Sequence, residues 1–277
     1  MAYVTLNGVD HYYEWICDGP QGHRPALVFL HGWGGSARYW ERTAHAMKHQ
    51  FDCLLYDLRG FGRSSAASST SAELGSLESF AEDLDCLLTT LNLERVFLSA
   101  HSMGASVALY FLNSFSQRVS KTILVCNGSF EYDELAFKAF HRFGSYVVMF
   151  RPSWLLHFPF APQMFMSRFL KGQIPDADKK IFLNDFLQAD AATALGTLKA
   201  SVSKHATEAM PQAFAAINVP TLMISGQYDK ITPAELGRQA ASLSTHIKYV
   251  EVPGTGHFPM LEDAETYLSI VRAFLNS

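Results

Sequence analysis

The stretch RVFLSAHSMGASVALY, residues 95–110, decides the fold of this 277-residue chain. It begins with an apolar run at residues 96–98, which is typical of a buried strand. It then turns sharply over residues 100–104 and continues with apolar side chains that a helix could pack, including Val107 and Leu109. The pattern predicts a strand, a tight turn with Ser102 at its apex, and a helix.

This order of elements is the context of the motif G-x-S-x-G, in which a strained turn projects a serine hydroxyl above a sheet edge. Small residues flank such a serine because the strand and helix backbones cross closely there. Gly104 fits this rule, and Ala100 stands where the motif has glycine, a departure of one methyl group. The alternative interpretation of the pentapeptide alone is an ordinary serine in an exposed turn.

Two later stretches supply the groups that a nucleophilic serine needs, namely a base and a group that orients the base. The segment TLMISGQYDKITP, residues 221–233, predicts a buried strand followed by a loop that carries Asp229. The segment YVEVPGTGHFPMLED, residues 249–263, predicts a strand followed by a glycine-rich loop that carries His257. The sequence therefore predicts that Ser102, His257 and Asp229 act together.

A third strand, residues 26–30, runs into the glycine-rich segment HGWGG, residues 31–35. Glycines let a backbone approach a substrate oxygen and direct N–H groups at it. The alternative interpretation is a plain connection into a helix capped by Ser36. Both interpretations can hold together.

The motifs HGWGG, YDLRGFGRS, AHSMGA, SGQYDKITP and PGTGHFPMLE follow one another along the chain. In this order they resemble the α/β-hydrolase superfamily, and within it the small cofactor-independent esterases, lactonases, perhydrolases and carbon–carbon bond hydrolases. The order Ser102, Asp229, His257 is also that of the family. The resemblance implies an α/β fold, with a mostly parallel central sheet, helices on both faces, and a helical lid inserted after the sixth strand. It divides the chain into a hydrolase core, residues 1–129 and 217–277, and a lid, residues 130–216.

The resemblance also implies roles for individual residues. Ser102 is the nucleophile, His257 the base and Asp229 the acid, while the backbone N–H groups of Trp33 and Met103 form the oxyanion hole. Some relatives place the acid after the strand at residues 119–126, but this chain has no carboxylate there before residue 131. That absence favours Asp229. The resemblance implies no cofactor and no metal.

Aromatic residues crowd the predicted lid. Most should fill its own core, and some should face the cleft and form an apolar wall. The predicted pocket residues are Trp33, His101, Phe143, Trp154 and Phe258. We expect a carboxylesterase-like serine hydrolase that acts on a small to medium, partly apolar ester. Two alternatives remain: a carbon–carbon hydrolase or perhydrolase with the same triad, and a ligand receptor with a hydrolase fold.

Composition limits the other possibilities. A net charge of -4 provides no basic surface field, which argues against a nucleic-acid partner. The four cysteines have no metal-site or C-x-x-C spacing, so we expect them to be reduced. We also expect no signal peptide and no transmembrane segment, hence a cytoplasmic location. Residues 64–76, rich in Ser and Ala, predict a mobile surface loop. The sequence does not determine the oligomeric state.

Overall fold

The structure is a computed structural model that describes residues 2–66 and 76–277. Most of the surface loop predicted over residues 64–76 lies outside the described residues. None of the helices in the described part is both long enough and apolar enough to cross a membrane.

Eight strands form one sheet in the order β1-β2-β4-β3-β5-β6-β7-β8. Their bounds are β1 Ala2–Leu6, β2 Val9–Ile16, β3 Ala26–Leu30, β4 Asp52–Tyr56, β5 Val96–His101, β6 Val119–Val125, β7 Thr221–Gly226 and β8 Ile247–Val252. The pairs β1–β2 and β2–β4 are antiparallel, and the other neighbouring pairs are parallel. The prediction of a mostly parallel sheet is confirmed.

Helices cover both faces of this sheet. Their bounds are α1 Glu41–Met47, α2 Leu77–Thr90, α3 Met103–Phe115, α4 Glu134–Met149, α5 Ala161–Met166, α6 Asp176–Gln188, α7 Ala191–Ser201, α8 Lys204–Ala215, α9 Ala234–Ala241, α10 Pro259–Glu262 and α11 Ala264–Leu275. One apolar core joins the sheet to α2, α3 and α8, and the other joins it to α1 and α11. Because side chains alternate along a strand, Val28 belongs to the first core and Phe29 to the second.

Helices α4 to α8 lie between β6 and β7, after the sixth strand as predicted. We call residues 126–220 the inserted segment. Within it α4 packs on α7 and α5 packs on α6, whereas α8 contacts α3 and α9 beside the sheet. The division of the chain at residues 130 and 217 stays a prediction.

The carboxyl ends of the parallel strands meet at one edge of the sheet. Ser102 follows β5, the loop with Trp33 follows β3, Asp229 follows β7 and His257 follows β8. The topology therefore collects the predicted site residues from distant parts of the chain.

Candidate active site

Ser102 lies between β5 and α3 with a φ of 54° and a ψ of -122°. Residues other than glycine rarely adopt this backbone conformation, because their Cβ atom crowds the neighbouring peptide. Hydrogen bonds hold it there: the Ser102 N–H donates to the Val125 carbonyl at 2.9 Å, and its own carbonyl accepts from the Ala105 N–H at 2.9 Å. The turn is thus fixed from both sides.

The turn packs closely against β3, as the small flanking residues predicted. A Cβ atom at Gly104 would lie 2.4 Å from the His31 carbonyl oxygen, well inside van der Waals contact. Ala100, on the other flank, is fully buried and its methyl group is accommodated. Of the two flanking positions, 104 therefore requires the absence of a side chain and 100 does not.

His257 contacts both of its predicted partners. Its Nε2 atom lies 3.0 Å from Ser102 Oγ, and its Nδ1 atom lies 2.7 Å from Asp229 Oδ2. The other carboxylate oxygen of Asp229 accepts the N–H groups of Ile231 at 2.8 Å and Thr232 at 3.1 Å. Asp229 and His257 are buried. The arrangement can take a proton from the serine and hold the resulting imidazolium.

Two segments of backbone lie next to Ser102, the start of α3 and the loop with Trp33. Met103 is the first residue of α3, and the first N–H groups of a helix have no acceptor inside it. The loop with Trp33 touches the serine from the other side, since a Cβ atom at Gly32 would lie 3.1 Å from Ser102 Cβ. The Trp33 ring is held by its Nε1–H, which donates to the Ala194 carbonyl at 2.8 Å. Their role as an oxyanion hole stays a prediction.

A buried hydrogen-bond chain connects this loop to the histidine. The Gly32 N–H donates to the Tyr39 hydroxyl at 2.5 Å, and that hydroxyl lies 3.0 Å from His101 Nδ1. His101 Nε2 lies 2.7 Å from the His257 carbonyl. A carbonyl only accepts, so Nε2 carries the proton and Nδ1 accepts from Tyr39. Burial lowers the pKa of His101 well below its ordinary value, which keeps this tautomer neutral.

Glu262 ties the His257 loop to the inserted segment. One carboxylate oxygen accepts the N–H groups of Gly256 at 2.9 Å and Phe258 at 3.2 Å. The other accepts those of Lys171 at 2.7 Å and Gly172 at 2.6 Å. In addition, the His257 N–H donates to a backbone carbonyl of the inserted segment, that of residue 169, at 2.7 Å. The position of His257 therefore depends on both parts of the chain.

A cavity of about 90 Å³ opens onto Ser102 and His257, and most of its wall is aromatic. Its lining residues are Gly32, Trp33, Gly34, Gly35, Tyr39, His101, Ser102, Phe165, Met166, Phe169, Phe182, Phe186, Ile231, His257 and Phe258. Of the five predicted pocket residues, Trp33, His101 and Phe258 lie in this wall.

The other two predicted pocket residues, Phe143 and Trp154, do not reach the cavity. Their side chains are 64% and 57% exposed. Phe143 lies on the outward face of α4, because Phe137 and Val148 occupy the inward face. Trp154 lies in a short 3₁₀ turn whose side chains are not buried. The expectation that these two residues line the pocket is thus corrected.

Sequence reasoning missed several residues of the site. Four aromatic residues of the wall form two pairs spaced four residues apart, Phe165 with Phe169 and Phe182 with Phe186. This spacing is the signal that could have identified them, since residues i and i+4 share a helix face. Tyr39 carried no such signal, because its role depends on contacts with distant residues.

Among the described residues, one group of potential metal ligands lies together: His101, Cys126 and His257. The ring nitrogens of both histidines already have hydrogen-bond partners in Tyr39, Ser102, Asp229 and a backbone carbonyl. Binding a metal there would require these bonds to break.

Comparisons with known proteins identify the fold family. The sequence model of the alpha/beta hydrolase fold matches residues 25–264. The bifunctional esterase/perhydrolase of Acinetobacter calcoaceticus is 25% identical, with 100% of both chains covered. The 3-oxoadipate enol-lactonase 1 of Acinetobacter baylyi is 25% identical over 94% of this chain and 91% of its own. The crystal structure of the enol-lactonase from Burkholderia xenovorans LB400 has a TM-score of 0.81 at 20% identity, with 100% of both chains covered.

Proposed function

The chain belongs to the α/β-hydrolase fold family, and from this premise we propose that it is a serine hydrolase that cleaves a small to medium, partly apolar carboxylic ester. The observation that carries the proposal is the hydrogen-bonded series Ser102–His257–Asp229 at the mouth of an apolar cavity. The distance of 3.0 Å between His257 Nε2 and Ser102 Oγ is within the range in which a general base acts on its nucleophile, and the 2.7 Å between His257 Nδ1 and Asp229 Oδ2 is a hydrogen bond that orients the base.

In the proposed mechanism, Ser102 Oγ attacks the carbonyl carbon while His257 Nε2 takes the hydroxyl proton. Asp229 stabilises the imidazolium that forms, and the N–H groups of Trp33 and Met103 hold the oxyanion of the tetrahedral intermediate. The intermediate collapses when His257 returns the proton to the leaving alkoxide, which leaves an acyl group on Ser102. Water then repeats the same steps and releases the carboxylic acid.

The cavity supports an apolar acyl group of limited length. Its aromatic wall offers few polar partners, and its volume of about 90 Å³ is small for a ligand site. The two curated relatives carry names that denote esterase, perhydrolase and lactonase activity, and a lactone is a cyclic ester. Hydrolysis of an ester is therefore the function we favour, and transfer of the acyl group to hydrogen peroxide is the second candidate.

The experiment is a series of p-nitrophenyl esters of graded acyl length, measured with wild type, Ser102→Ala and Asp229→Asn. Ser102→Ala should lose on the order of 10³-fold or more in kcat. Asp229→Asn should lose about 10⁴-fold, the value known for the same change in a serine protease, because the amide does not hold the required imidazole tautomer. Glu131→Gln, which changes the first and exposed carboxylate after β6, is the matched control and should retain activity. Full activity in a folded Ser102→Ala protein would refute the proposal.

Acyl length tests the cavity separately. Each buried methylene should raise kcat/KM about fourfold until the cavity is full, if the whole gain is retained in the transition state. Phe186→Ala should shift this profile toward longer chains, whereas Phe143→Ala should leave it unchanged because Phe143 is exposed. A fluorophosphonate probe that labels Ser102 without any turnover of esters, lactones or carbon–carbon substrates would point to the ligand-receptor alternative.

A further inference from the structure

The outward face of α4 is apolar although no part of the described chain covers it. Phe143, Tyr146, Met149 and Phe150 recur at helical spacing along this face and beyond its end, and each is more than 60% exposed. The inward face of the same helix buries Phe137, Gly144 and Val148. Large apolar side chains grouped on one helix face are normally buried against another element. The outward face of α4 is therefore unpartnered.

The exposure continues along the chain past the end of α4. Trp154 is 57% and Phe160 is 67% exposed. We call the side chains of Phe143, Tyr146, Met149, Phe150, Trp154 and Phe160 the outer aromatic surface. Single exposed apolar residues are ordinary on a protein surface, whereas a concentration of large ones marks a contact site.

The charges within residues 135–175 have one sign, whereas acidic residues flank this stretch on both sides. Residues 135–175 contain two lysines, three arginines and no aspartate or glutamate, in a chain whose net charge is -4. Lys138, Arg142, Arg168 and Lys171 are exposed. Among the described residues, Arg142 and Arg168 form no salt bridge, whereas Lys138 pairs with Glu134 at 2.6 Å. Arg142 precedes Phe143 on the outward face of α4, so cations and aromatics share one surface.

The same stretch of chain also reaches the candidate active site. Phe165 and Phe169 line the cavity, while Met164 and Arg168, their immediate neighbours, point to solvent. One side of this stretch thus faces the cavity, and the other presents exposed apolar and basic side chains.

We propose that the outer aromatic surface docks on an anionic phospholipid membrane. Aromatic side chains favour the headgroup level of a bilayer, and lysine and arginine near it are attracted by anionic lipids. A second copy of the chain fits less well, because a two-fold contact would bring the same cationic face against itself. Docking goes beyond the proposed ester hydrolysis and does not depend on it. If both hold, the cavity receives apolar substrates that partition into the membrane.

The experiment is co-sedimentation of the full-length protein with vesicles of phosphatidylcholine alone or with about one third phosphatidylglycerol. We expect binding to the anionic vesicles, weakened by high salt because screening shortens the range of the attraction. Arg142→Glu should lower the partition coefficient at least about fivefold. The triple change Phe143→Ser, Met149→Ser and Phe150→Ser should lower it at least about tenfold.

Matched controls come from exposed residues outside the inserted segment. Lys248→Glu and Leu243→Ser change an exposed charge and an exposed apolar side chain elsewhere, and both should bind as wild type does. Ser102→Ala should also bind, which separates docking from the proposed function. All the changed residues of α4 and its end are exposed, so the variants should keep their thermal stability.

Several outcomes would overturn the proposal. One is the absence of binding to either kind of vesicle. Another is binding that Arg142→Glu and the triple change leave as strong as in wild type. A third is a wild-type dimer by light scattering that the triple change converts to a monomer without any effect on vesicle binding. That last result would assign the surface to contact between copies.

Discussion

The conformation of Ser102 has a measurable consequence for stability that is independent of any enzymatic assay. At a φ of 54° and a ψ of -122°, a side chain costs about 1–3 kcal/mol in strain. Ser102→Ala keeps this strain because alanine has a Cβ atom, whereas Ser102→Gly releases it. Glycine in turn costs about 0.5–1 kcal/mol through the greater freedom of the unfolded chain. The difference predicts that Ser102→Gly is more stable than Ser102→Ala by about 1 kcal/mol.

The assay is urea unfolding at 25 °C, supported by thermal melting. An unfolding entropy of about 2.1 cal/mol/K per residue gives roughly 0.6 kcal/mol/K for a chain of this length, so Tm should differ by about 2 °C. Both variants lack the Oγ atom and therefore lose the contact with His257 equally. The difference in stability between the two variants therefore reports the backbone conformation at residue 102.

Ser106 in α3 provides a control in which the alanine variant should be more stable than the glycine variant, the reverse of the order expected at Ser102. Its hydroxyl accepts a hydrogen bond from Asn127 Nδ2 at 2.8 Å, and both Ser106→Ala and Ser106→Gly lose this bond. Within a helix, glycine should be less stable than alanine by about 1 kcal/mol. If Ser102→Ala proved at least as stable as Ser102→Gly while the Ser106 pair behaved as expected, the strain argument would be wrong.

Three further changes test other parts of the structure. Gly104→Ala would place a Cβ atom 2.4 Å from a backbone oxygen, and the resulting misplacement of the turn should lower kcat by about 10²-fold. The control is Gly172→Ala, where the nearest atom would lie 3.4 Å from the added Cβ, and its kcat should equal that of wild type in the same steady-state assay. Tyr39→Phe leaves the buried Gly32 N–H and the His101 Nδ1 atom without their partner, which should lower the free energy of unfolding in urea by about 1–3 kcal/mol. It should also lower kcat more than it changes KM. Unchanged kcat and KM would contradict the inference that Tyr39 positions the loop at residue 32 and His101. Burial lowers the pKa of His11 to about 4, so the unfolded state takes up a proton first as pH falls. His11 should therefore contribute up to about 1.4 kcal/mol per pH unit to a decline in the free energy of unfolding between about pH 6.5 and pH 4. His11→Asn should flatten that decline in urea unfolding at pH 7, 6 and 5, and an unchanged slope would exclude His11 as its source.

The sequence alone predicted the sheet and the residues that meet at its edge. Ser102, Asp229 and His257 each follow a predicted parallel strand, and the carboxyl ends of such strands share one edge. The prediction of their proximity combined these strand ends with the order of motifs that resembles the α/β-hydrolase superfamily. The distances agree with that expectation, while the catalytic roles remain proposals.

The residues of the cavity wall could not be predicted in the same way. Helix α4 carries apolar side chains on both faces, so its pattern does not tell which face turns inward. That choice depends on packing against α7, which lies far along the chain. Phe143 was placed in the pocket for this reason, whereas Phe186 was overlooked. The same holds for Glu262, whose four backbone partners come from two distant segments.

The bonds made by Glu262 bear on how such proteins can be recombined. Chimaeras that exchange the inserted segment between family members would ordinarily take their crossover points in the loops after β6 and before β7. In this chain the inserted segment holds the His257 loop through residues 169–172: two of their N–H groups donate to Glu262, and the carbonyl of residue 169 accepts the N–H of His257. An exchanged segment without these groups at the same positions would no longer hold that loop. A working exchange should therefore transfer the inserted segment together with the loop after β8 and α10, although these stretches are separate in the chain.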